Sequence, residues 1–334
     1  MMKLGILTDH YNQYELYEKS CKELNVDYVV IDILSSDWLT NIKANIDCNG
    51  FIARPMYDYE EQRDVYIERI YYINNILKKI IYPTFDEQMI YENKRNMATW
   101  LSMHNFPHVE TKVFLRKQEA LDFLNTCTYP LVIKSNLGAG GKGVEIIETK
   151  KKAIRRVNRI FGRIHHLFAL GNPQKRKKFG LNIPVYGMSQ KHVMIVQEYK
   201  EIKWEWRIIK IDNSFFGHQK LLKGKFASGS GLVGWVEPPR ELLDIVREIC
   251  DRGNFYSMAV DIFETINDNY YVNELQSLFG SFLDSQMVID GKPGRFKYIN
   301  NEYVFEGGEF NRFGSCLLRV EHFIKILKNN IEVH

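Results

Sequence analysis

The sequence lacks any pair of cysteines at metal or redox spacing. Its five cysteines, Cys21, Cys48, Cys127, Cys250 and Cys316, are scattered with no C-x-x-C among them. That scatter argues against a zinc site and against a disulfide framework, and reads as reduced thiols in a cytosol. No apolar run approaches a membrane span. The opening Met-Met-Lys-Leu-Gly-Ile-Leu-Thr-Asp has too short an apolar stretch for a signal peptide, so a cytoplasmic protein is expected. Internal repeats are absent. No G-x-G-x-x-G accompanies the first strand-like run, which argues against a dinucleotide site there. Neither sign of charge is in large excess, with 45 Lys and Arg against 41 Asp and Glu and a net charge of +4. That mild balance suits a small anionic ligand and does not demand nucleic acid.

What is present is an ordinary globular composition, 45% hydrophobic and 26% charged over 334 residues. That length fits about two domains of roughly 150 residues. Leu4–Leu7 reads as a strand, Tyr14, Tyr17, Cys21 and Leu24 recur at helical spacing, and Tyr28–Ile33 reads as the next strand, a βαβ opening. A third run, Gly50–Ala53, leads to Arg54, and Glu60–Ile80 carries an apolar helical face. Residues 1 to about 85 therefore read as a small α/β domain, ending where Ile81–Asp86 breaks the pattern. The spacing predicts a helix over Glu92–His104 with Lys94 near its start, where the helix dipole disfavours a cation unless an anion shares the site.

The most informative stretch runs from Pro130 to Ile147. Leu131–Ile133 ends in Lys134 as a strand, a glycine-rich segment follows with Gly138, Gly140, Gly141, Lys142 and Gly143, and Val144–Ile147 reads as a second strand. Glycines let the backbone approach a polyphosphate and point successive N–H groups at it. The two lysines add positive charge where such a ligand is negative. It is not a P-loop, because no Ser or Thr follows Lys142 and the next segment is strand-like. An ordinary glycine-rich hairpin is the bland alternative. Further on, Thr149 caps a helix with a basic face, and a second basic run spans Lys175–Lys178. A solvated surface explains these better than a nucleic-acid patch.

Beyond Val193 the pattern turns β. Glu205–Ile211 and Phe215–Gln219 flank an Asp212-Asn213 turn, Pro238-Pro239 opens a helix, and Gly291–Gly314 shows little periodicity. The last informative hairpin pairs Met258–Phe263 with Tyr270–Gln276. Asp261 interrupts its apolar strand, and period two puts Glu274 and Gln276 on one face of the partner strand. Asp261 lies near them if the strands pair across Asn267–Asn269. Such an oxygen-only set suits Mg²⁺, which uses one or two carboxylates with phosphates and waters.

The ordered series of Lys94, Lys134 with its glycine loop, Gln197-Glu198-Tyr199, Glu205-Trp-Arg207, Asp261 and Glu274-x-Gln276 resembles the ATP-grasp superfamily. Its look is closest to the branch of glutamate ligases, glutathione synthetases and D-alanine ligases. The resemblance covers about residues 84–285. It implies an α/β (α+β) class, an ATP-grasp fold with an N-terminal Rossmann-like pre-domain over 1–85. A small lid subdomain would span 86–195 and a C-terminal subdomain carrying the metal site would span 196–334.

Carried over by residue, the resemblance implies that Lys94 and Lys134 contact ATP phosphates and that Gly138, Gly140, Gly141, Lys142 and Gly143 close over them. Gln197, Glu198 and Tyr199 would line the adenine and Glu205 would bind the ribose. Arg207 and Lys134 would act on the transferred phosphate, and Asp261, Glu274 and Gln276 would hold Mg²⁺. Gln276 departs from the Asn usual in the family, being one methylene longer. Ser228 and Ser230 stand where relatives carry an Asn and a glycine pair.

The implied reaction is ATP- and Mg²⁺-dependent joining of a small-molecule or peptide carboxylate to an amine through an acylphosphate. No membrane or nucleic-acid partner is expected, and a homodimer is left open. Two alternatives stand beside it: kinase-type phosphoryl transfer on the same fold, and a non-catalytic nucleotide- or nucleic-acid-binding module. Arg54, Tyr57, Lys220 and Lys223 are candidates for the acceptor pocket.

Overall fold

The computed structural model describes residues 2–55, 60–138, 143–162, 176–178, 181–183, 191–227, 232–279 and 283–332. Of the residues singled out above, Tyr57, Gly140, Gly141, Lys142, Lys175, Ser228 and Ser230 lie outside the described residues.

Short apolar runs separated by amphipathic helices give the N-terminal part a parallel sheet, because parallel neighbours need long crossovers. Its strands are β1 (Lys3–Leu7), β2 (Asp27–Ile31), β3 (Gly50–Ile52) and β4 (Ile80–Tyr82), in the order β2-β1-β3-β4. Helices α1 (Glu15–Glu23), α2 (Trp38–Ala44) and α3 (Glu60–Tyr71) make the crossovers. The chain steps from β1 outward to β2 and then back past it to β3. The loops after β1 and β3 therefore diverge, and β1/β3 is the switch point of the sheet. The third helix was expected to reach Ile80. It ends instead in a π-helical turn, Tyr72–Ile76, and Ile80 opens β4. A three-residue apolar run carries no period that separates strand from helix.

Alternation splits this sheet into two faces. Leu7, Phe51 and Ala53 join Tyr66, Ile70 and Ile73 on one side. Leu4, Ile6, Ile52 and Tyr82 lie on the other with Tyr17, Cys316, Val320, Phe323 and Leu327. The last four belong to α9 (Cys316–Glu332), whose buried stripe follows helical spacing. The sequence division placed this helix with residues 196–334, but its apolar face completes the core of the first sheet.

The middle of the chain builds a second, antiparallel sheet. Thr84 caps α4 (Phe85–Ile90) in a reciprocal capping box with Glu87, and Asn93 caps α5 (Lys94–Met103). Then follow β5 (Thr111–Phe114), α6 (Lys117–Thr126), β6 (Leu131–Lys134), β7 (Val144–Ile147) and α7 (Lys150–Ile160). A short hairpin of β8 (Arg176–Lys178) and β9 (Leu181–Ile183) precedes β10 (Met194–Glu198). The sheet order is β5-β10-β6-β7. Leu131 and Ile133 pack with Ala120, Leu124, Ala153 and Val157 of α6 and α7. Lys134 therefore projects from the opposite face.

The third sheet holds β11 (Ile202–Ile211), β12 (Ser214–Lys220), β15 (Val233–Gly234), β16 (Ser257–Thr265), β17 (Tyr270–Gln276), β18 (Val288–Ile289), β19 (Lys292–Ile299) and β20 (Glu302–Gly307). The two-residue strands β13 (Leu222–Lys223) and β14 (Phe226–Ala227) pair beside it. Its path runs β17-β16-β11-β12-β19-β18. Helix α8 (Arg240–Gly253) buries Leu242, Val246 and Ile249 against Trp206, Ile208, Val260 and Ile262. The stretch 291–314, read as irregular from the sequence, carries β19 and β20. Asn300 and Asn301, with φ of 51° and 64°, form the two-residue turn between them. The mixed α/β class agrees with the sequence expectation. Among the described residues no helix is long and apolar enough to cross a membrane.

Candidate active site

The site is assembled where the uncovered face of the second sheet meets the third. Four adjacent strands of the third sheet present a cross-strand row, with His218, Arg207, Asp261 and Glu274 at paired register positions. The even-numbered neighbours Trp206, Ile208, Val260 and Ile262 are turned into the core, so alternation fixes which way this row points.

One irregularity matters. The register slips between Asp261 and Ile262, which face Glu274 and Val272 respectively and leave Asn273 as an extra residue in β17. The bulge lets Val272 and Leu275 both reach the core although they are three apart. It also lets Asn273 join Glu274 on the site side, which period two alone forbids. Asn273 was not singled out from the sequence, and only recognition of the bulge would have found it.

Asp261 is 1% exposed and accepts three charge-assisted hydrogen bonds. Arg207 grips it bidentately, Nε to Oδ1 and Nη2 to Oδ2, both at 2.8 Å, and Lys220 Nζ donates to Oδ2 at 2.8 Å. Burial opposes ionisation of Asp261, but Arg207 and Lys220 outweigh it and hold the carboxyl well below the usual range. Lys220 also pairs with Glu205, and the two carboxylates keep the ammonium charged against burial. Arg207 Nη2 reaches Gln276 Oε1 at 3.1 Å, while Gln276 Nε2 donates to Glu274 Oε2 at 2.9 Å. Burial drives His218 down to about 4, and its Nδ1 lies 2.9 Å from the carbonyl of Gln286. It is a neutral imidazole at physiological pH.

The second sheet supplies Lys134, and the start of α5 supplies Lys94. Lys134 Nζ donates to Asn273 Oδ1 at 2.9 Å, and Asn273 Nδ2 donates to Glu205 Oε2 at 2.8 Å. Burial, helped by the neighbouring charge of Lys94, lowers Lys134 to about 8 against the pull of Glu274 and Glu205. Lys94 Nζ donates to the Gly138 carbonyl at 2.9 Å and lies 3.4 Å from Glu92 and 3.8 Å from Glu274. Burial disfavours its charge, but the two glutamates more than compensate. Glu92, a second residue not foreseen, accepts from Gly138 N at 3.2 Å, so it orients both Lys94 and the start of the glycine loop. Its proximity to Lys94 in sequence was the only available signal.

At the other end of that loop Gly143 has φ +79°, and an added Cβ would lie 1.9 Å from Ser135 Oγ. Ser135 N donates to the Gly143 carbonyl at 2.7 Å, closing the base of the loop. Only glycine meets both requirements.

The structure thus brings together Lys94, Lys134, Gly138, Glu205, Arg207, Asp261, Glu274 and Gln276. Gln197, Glu198 and Tyr199 sit apart, at the passage from β10 to β11 that connects the two sheets. Gln197 is buried and donates to Thr111 Oγ1 at 3.0 Å, while Glu198 pairs with Lys200 at 2.7 Å. Glu205, expected to face a ribose, has both oxygens engaged by Lys220 and Asn273. Lys220, one of four acceptor candidates, is 7% exposed inside the network, whereas Lys223 is exposed. The basic face of α7 is part-neutralised, Glu145 pairing with Arg156 at 2.5 Å and Lys152 at 3.5 Å.

For a divalent cation the donor chemistry fits at Glu274, while Gln276 could add its Oε1 only in exchange for the bond from Arg207. Glu274, with a side chain 23% exposed, is the open carboxylate. Asp261 differs from the sequence expectation of a third ligand, because Arg207 and Lys220 already take both of its oxygens. Among the described residues no group of three or more His, Cys, Asp or Glu is arranged to hold a metal.

Residues 92–202, from Glu92 to the start of β11, match the family described as phosphoribosylglycinamide synthetase, ATP-grasp (A) domain. That match covers about a third of the chain and is a likeness to an ATP-grasp domain. Among curated relatives, the human trifunctional purine biosynthetic protein adenosine-3 is 30% identical over 79 residues, 23% of this chain. That match spans only 8% of the relative's length. The alpha-aminoadipate–LysW ligase LysX of Sulfurisphaera tokodaii is 23% identical over 288 residues, covering 83% of this chain and 90% of the relative. Among solved structures, the D-alanine–D-alanine ligase of Bacillus anthracis superposes with a TM-score of 0.57 at 14% identity, over 99% of this chain and 100% of that one. That likeness is one of fold.

Proposed function

We propose that this chain is an ATP-grasp enzyme, an ATP- and Mg²⁺-dependent ligase that joins a carboxylate to an amine through an acylphosphate. The observation that carries the reading is the convergence of two buried lysines, Lys94 from the start of α5 and Lys134 from the second sheet, on Glu274 and Asn273 of the third sheet. Two cations from separate elements converging beside an open carboxylate is the arrangement a metal-bound triphosphate needs. The names of relatives that join a carboxyl group to an amine support the same chemistry.

In this reading Lys94 and Lys134 hold the phosphates, with the backbone of the glycine loop from Gly138 to Gly143 over them. Glu274 and Gln276 hold Mg²⁺, which when bound neutralises phosphate charge and fixes the orientation of the transferred group. The adenine lies at the passage Gln197–Tyr199. A substrate carboxylate oxygen attacks the γ-phosphorus, the bond to the β-phosphate oxygen breaks, and ADP leaves. The amine then attacks the acyl carbon, the carbon–oxygen bond to phosphate breaks, and the nitrogen gives up a proton. Arg207, held in register by Asp261, stabilises the charge developing on the transferred oxygens. Residues 1–85 with α9 form one unit, 86–195 a lid apart from α5, whose Met97 and Leu101 pack into the third sheet's core, and the remainder with α5 the platform.

The test is acid-dependent ADP release across a panel of amino acids and cell-wall precursors, with the product analysed. ADP, phosphate and an amide together identify a ligase, and a stable phosphoester would instead identify a kinase. Glu274→Ala should abolish ADP release, and near-normal turnover in that variant would reject the assignment.

A further inference from the structure

A second concentration of positive charge lies away from the lysines, at the switch point of the first sheet. Arg54 follows β3, directly where the loops after β1 and β3 part, and is 4% exposed. Its Nη2 donates to Gln13 Oε1 at 2.6 Å in the loop after β1, and its Nη1 lies 3.8 Å from Cys316 Sγ on α9. One helical turn further along α9 is Arg319, 0% exposed. Its Nη1 donates to Tyr17 OH at 3.2 Å, its Nη2 to the Ser277 carbonyl at 3.0 Å, and its guanidinium carbon lies 3.9 Å from the centre of the Phe279 ring. Both guanidinium groups act on the titration of Tyr17 and of Cys316, so they share one neighbourhood.

Among the described residues neither arginine forms an ion pair with a carboxylate. Asp9, the one carboxylate among them acting on the Cys316 thiol, has its oxygens taken by the backbone N–H groups of Tyr11 at 2.7 Å, Gln13 at 3.2 Å and Tyr14 at 2.7 Å. Two further polar atoms there, Arg319 Nε and Ser277 Oγ, are buried without a hydrogen-bond partner among the described residues. Two desolvated guanidiniums served by a phenol, an amide, a carbonyl, a thiol and a ring lack the negative charge that makes such burial favourable. Orphaned donors at the same place point the same way. The position matters too. In open α/β sheets ligands lie outside the carboxyl ends of strands at the switch point. Ser277 directly follows Gln276, so an anion on Arg319 lies one residue from the end of the acid strand.

We infer that Arg54 and Arg319 form the receptor for an anionic group, a carboxylate or a phosphate, on the acceptor substrate. A guanidinium donates readily to either anion, and Arg319 Nε is the donor that stands unpartnered among the described residues. Calling the bound molecule the acceptor rests on the ligase reading. The anion site itself does not.

The test is calorimetric titration of the full chain without nucleotide, using inorganic phosphate in one arm and succinate in the other. One probe should bind with 1:1 stoichiometry at millimolar concentration. Arg54→Gln should weaken it about tenfold, whereas Arg156→Gln, on α7 and outside both sites, should leave it unchanged. Arg319→Lys keeps the charge but loses the guanidinium, and should weaken the same probe. The inference is overturned if neither probe binds, if Arg54→Gln binds as tightly as the wild type, or if binding is lost in Arg156→Gln and kept in Arg54→Gln. Because no ATP is present, absence of acid-dependent ADP release would reject the ligase reading and leave this result standing.

Discussion

Asp261→Asn separates two accounts of the residue at the centre of the site. In the structure its carboxylate neutralises Arg207 and Lys220 through three hydrogen bonds of 2.8 Å at 1% exposure. With Glu205 these four groups balance to zero. The amide removes one negative charge, leaves a buried net positive charge, and turns an N–H₂ toward groups that only donate. Breaking one side of a buried pair costs about 3–5 kcal/mol. At about 2–4 °C per kcal/mol for a unit of this size, unfolding of the third sheet should fall by roughly 6–20 °C. Trp204 and Trp206, on the same strand as Arg207, give a fluorescence readout. Adding Lys220→Met restores the balance of charge and should recover part of the loss, a coupling the double-mutant cycle measures. The pH dependence has a definite sign. The folded carboxyl ionises more readily than the unfolded one, so its contribution is present above the unfolded value near 4 and fades as pH falls below it. The difference between wild type and variant should shrink in acid. A melting shift under about 2 °C at neutral pH, with loss of Mg²⁺ dependence instead, would refute the anchoring role.

Lys134, lowered to about 8 by burial, is partly neutral in mildly alkaline solution and should recover its proton when a triphosphate arrives. Calorimetric titration of ATP near pH 8.5 in buffers of different ionisation enthalpy should show proton uptake, absent in Lys134→Met. Equal enthalpies across buffers would count against contact with phosphate. The same shift makes the unfolded chain bind more protons between about 8 and 10.5, so this group's contribution to stability rises with pH over that window. Gly143→Ala places a methyl 1.9 Å from Ser135 Oγ at φ +79°. Conformational strain of about 1–2 kcal/mol and the clash together should loosen ATP binding about tenfold. Adding Ser135→Gly relieves only the clash, so recovery should be partial, and unchanged affinity in the single variant would refute the loop's role.

Much of this was legible in the residues because the site depends on local patterns. Lys134 before a glycine run, and Asp261 opposite Glu274 across a polar turn, are read from short-range alternation. The strands pair as that alternation requires. What stayed hidden is what alternation cannot express. The bulge that brings Asn273 in beside Glu274 breaks the period of two. The commitment of Asp261 to Arg207 and Lys220 is a contest between a metal and two cations that depends on burial. Gly291–Gly314 looked irregular because β20 is largely exposed and carries few core side chains, although Asn300-Asn301 marked its turn. The pairing of Arg319 with Tyr17 spans 302 residues, beyond the reach of any local rule.

The closing helix has a further consequence. Cys316, Val320, Phe323 and Leu327 cover Leu4, Ile6 and Tyr82, so one apolar side of the first sheet waits for a helix made after both of the other sheets. Until then the nascent chain carries an unfinished oily surface, and the first sheet is completed only once α9 has left the ribosome. Removing α9 would therefore injure the first sheet, hundreds of residues upstream of the cut.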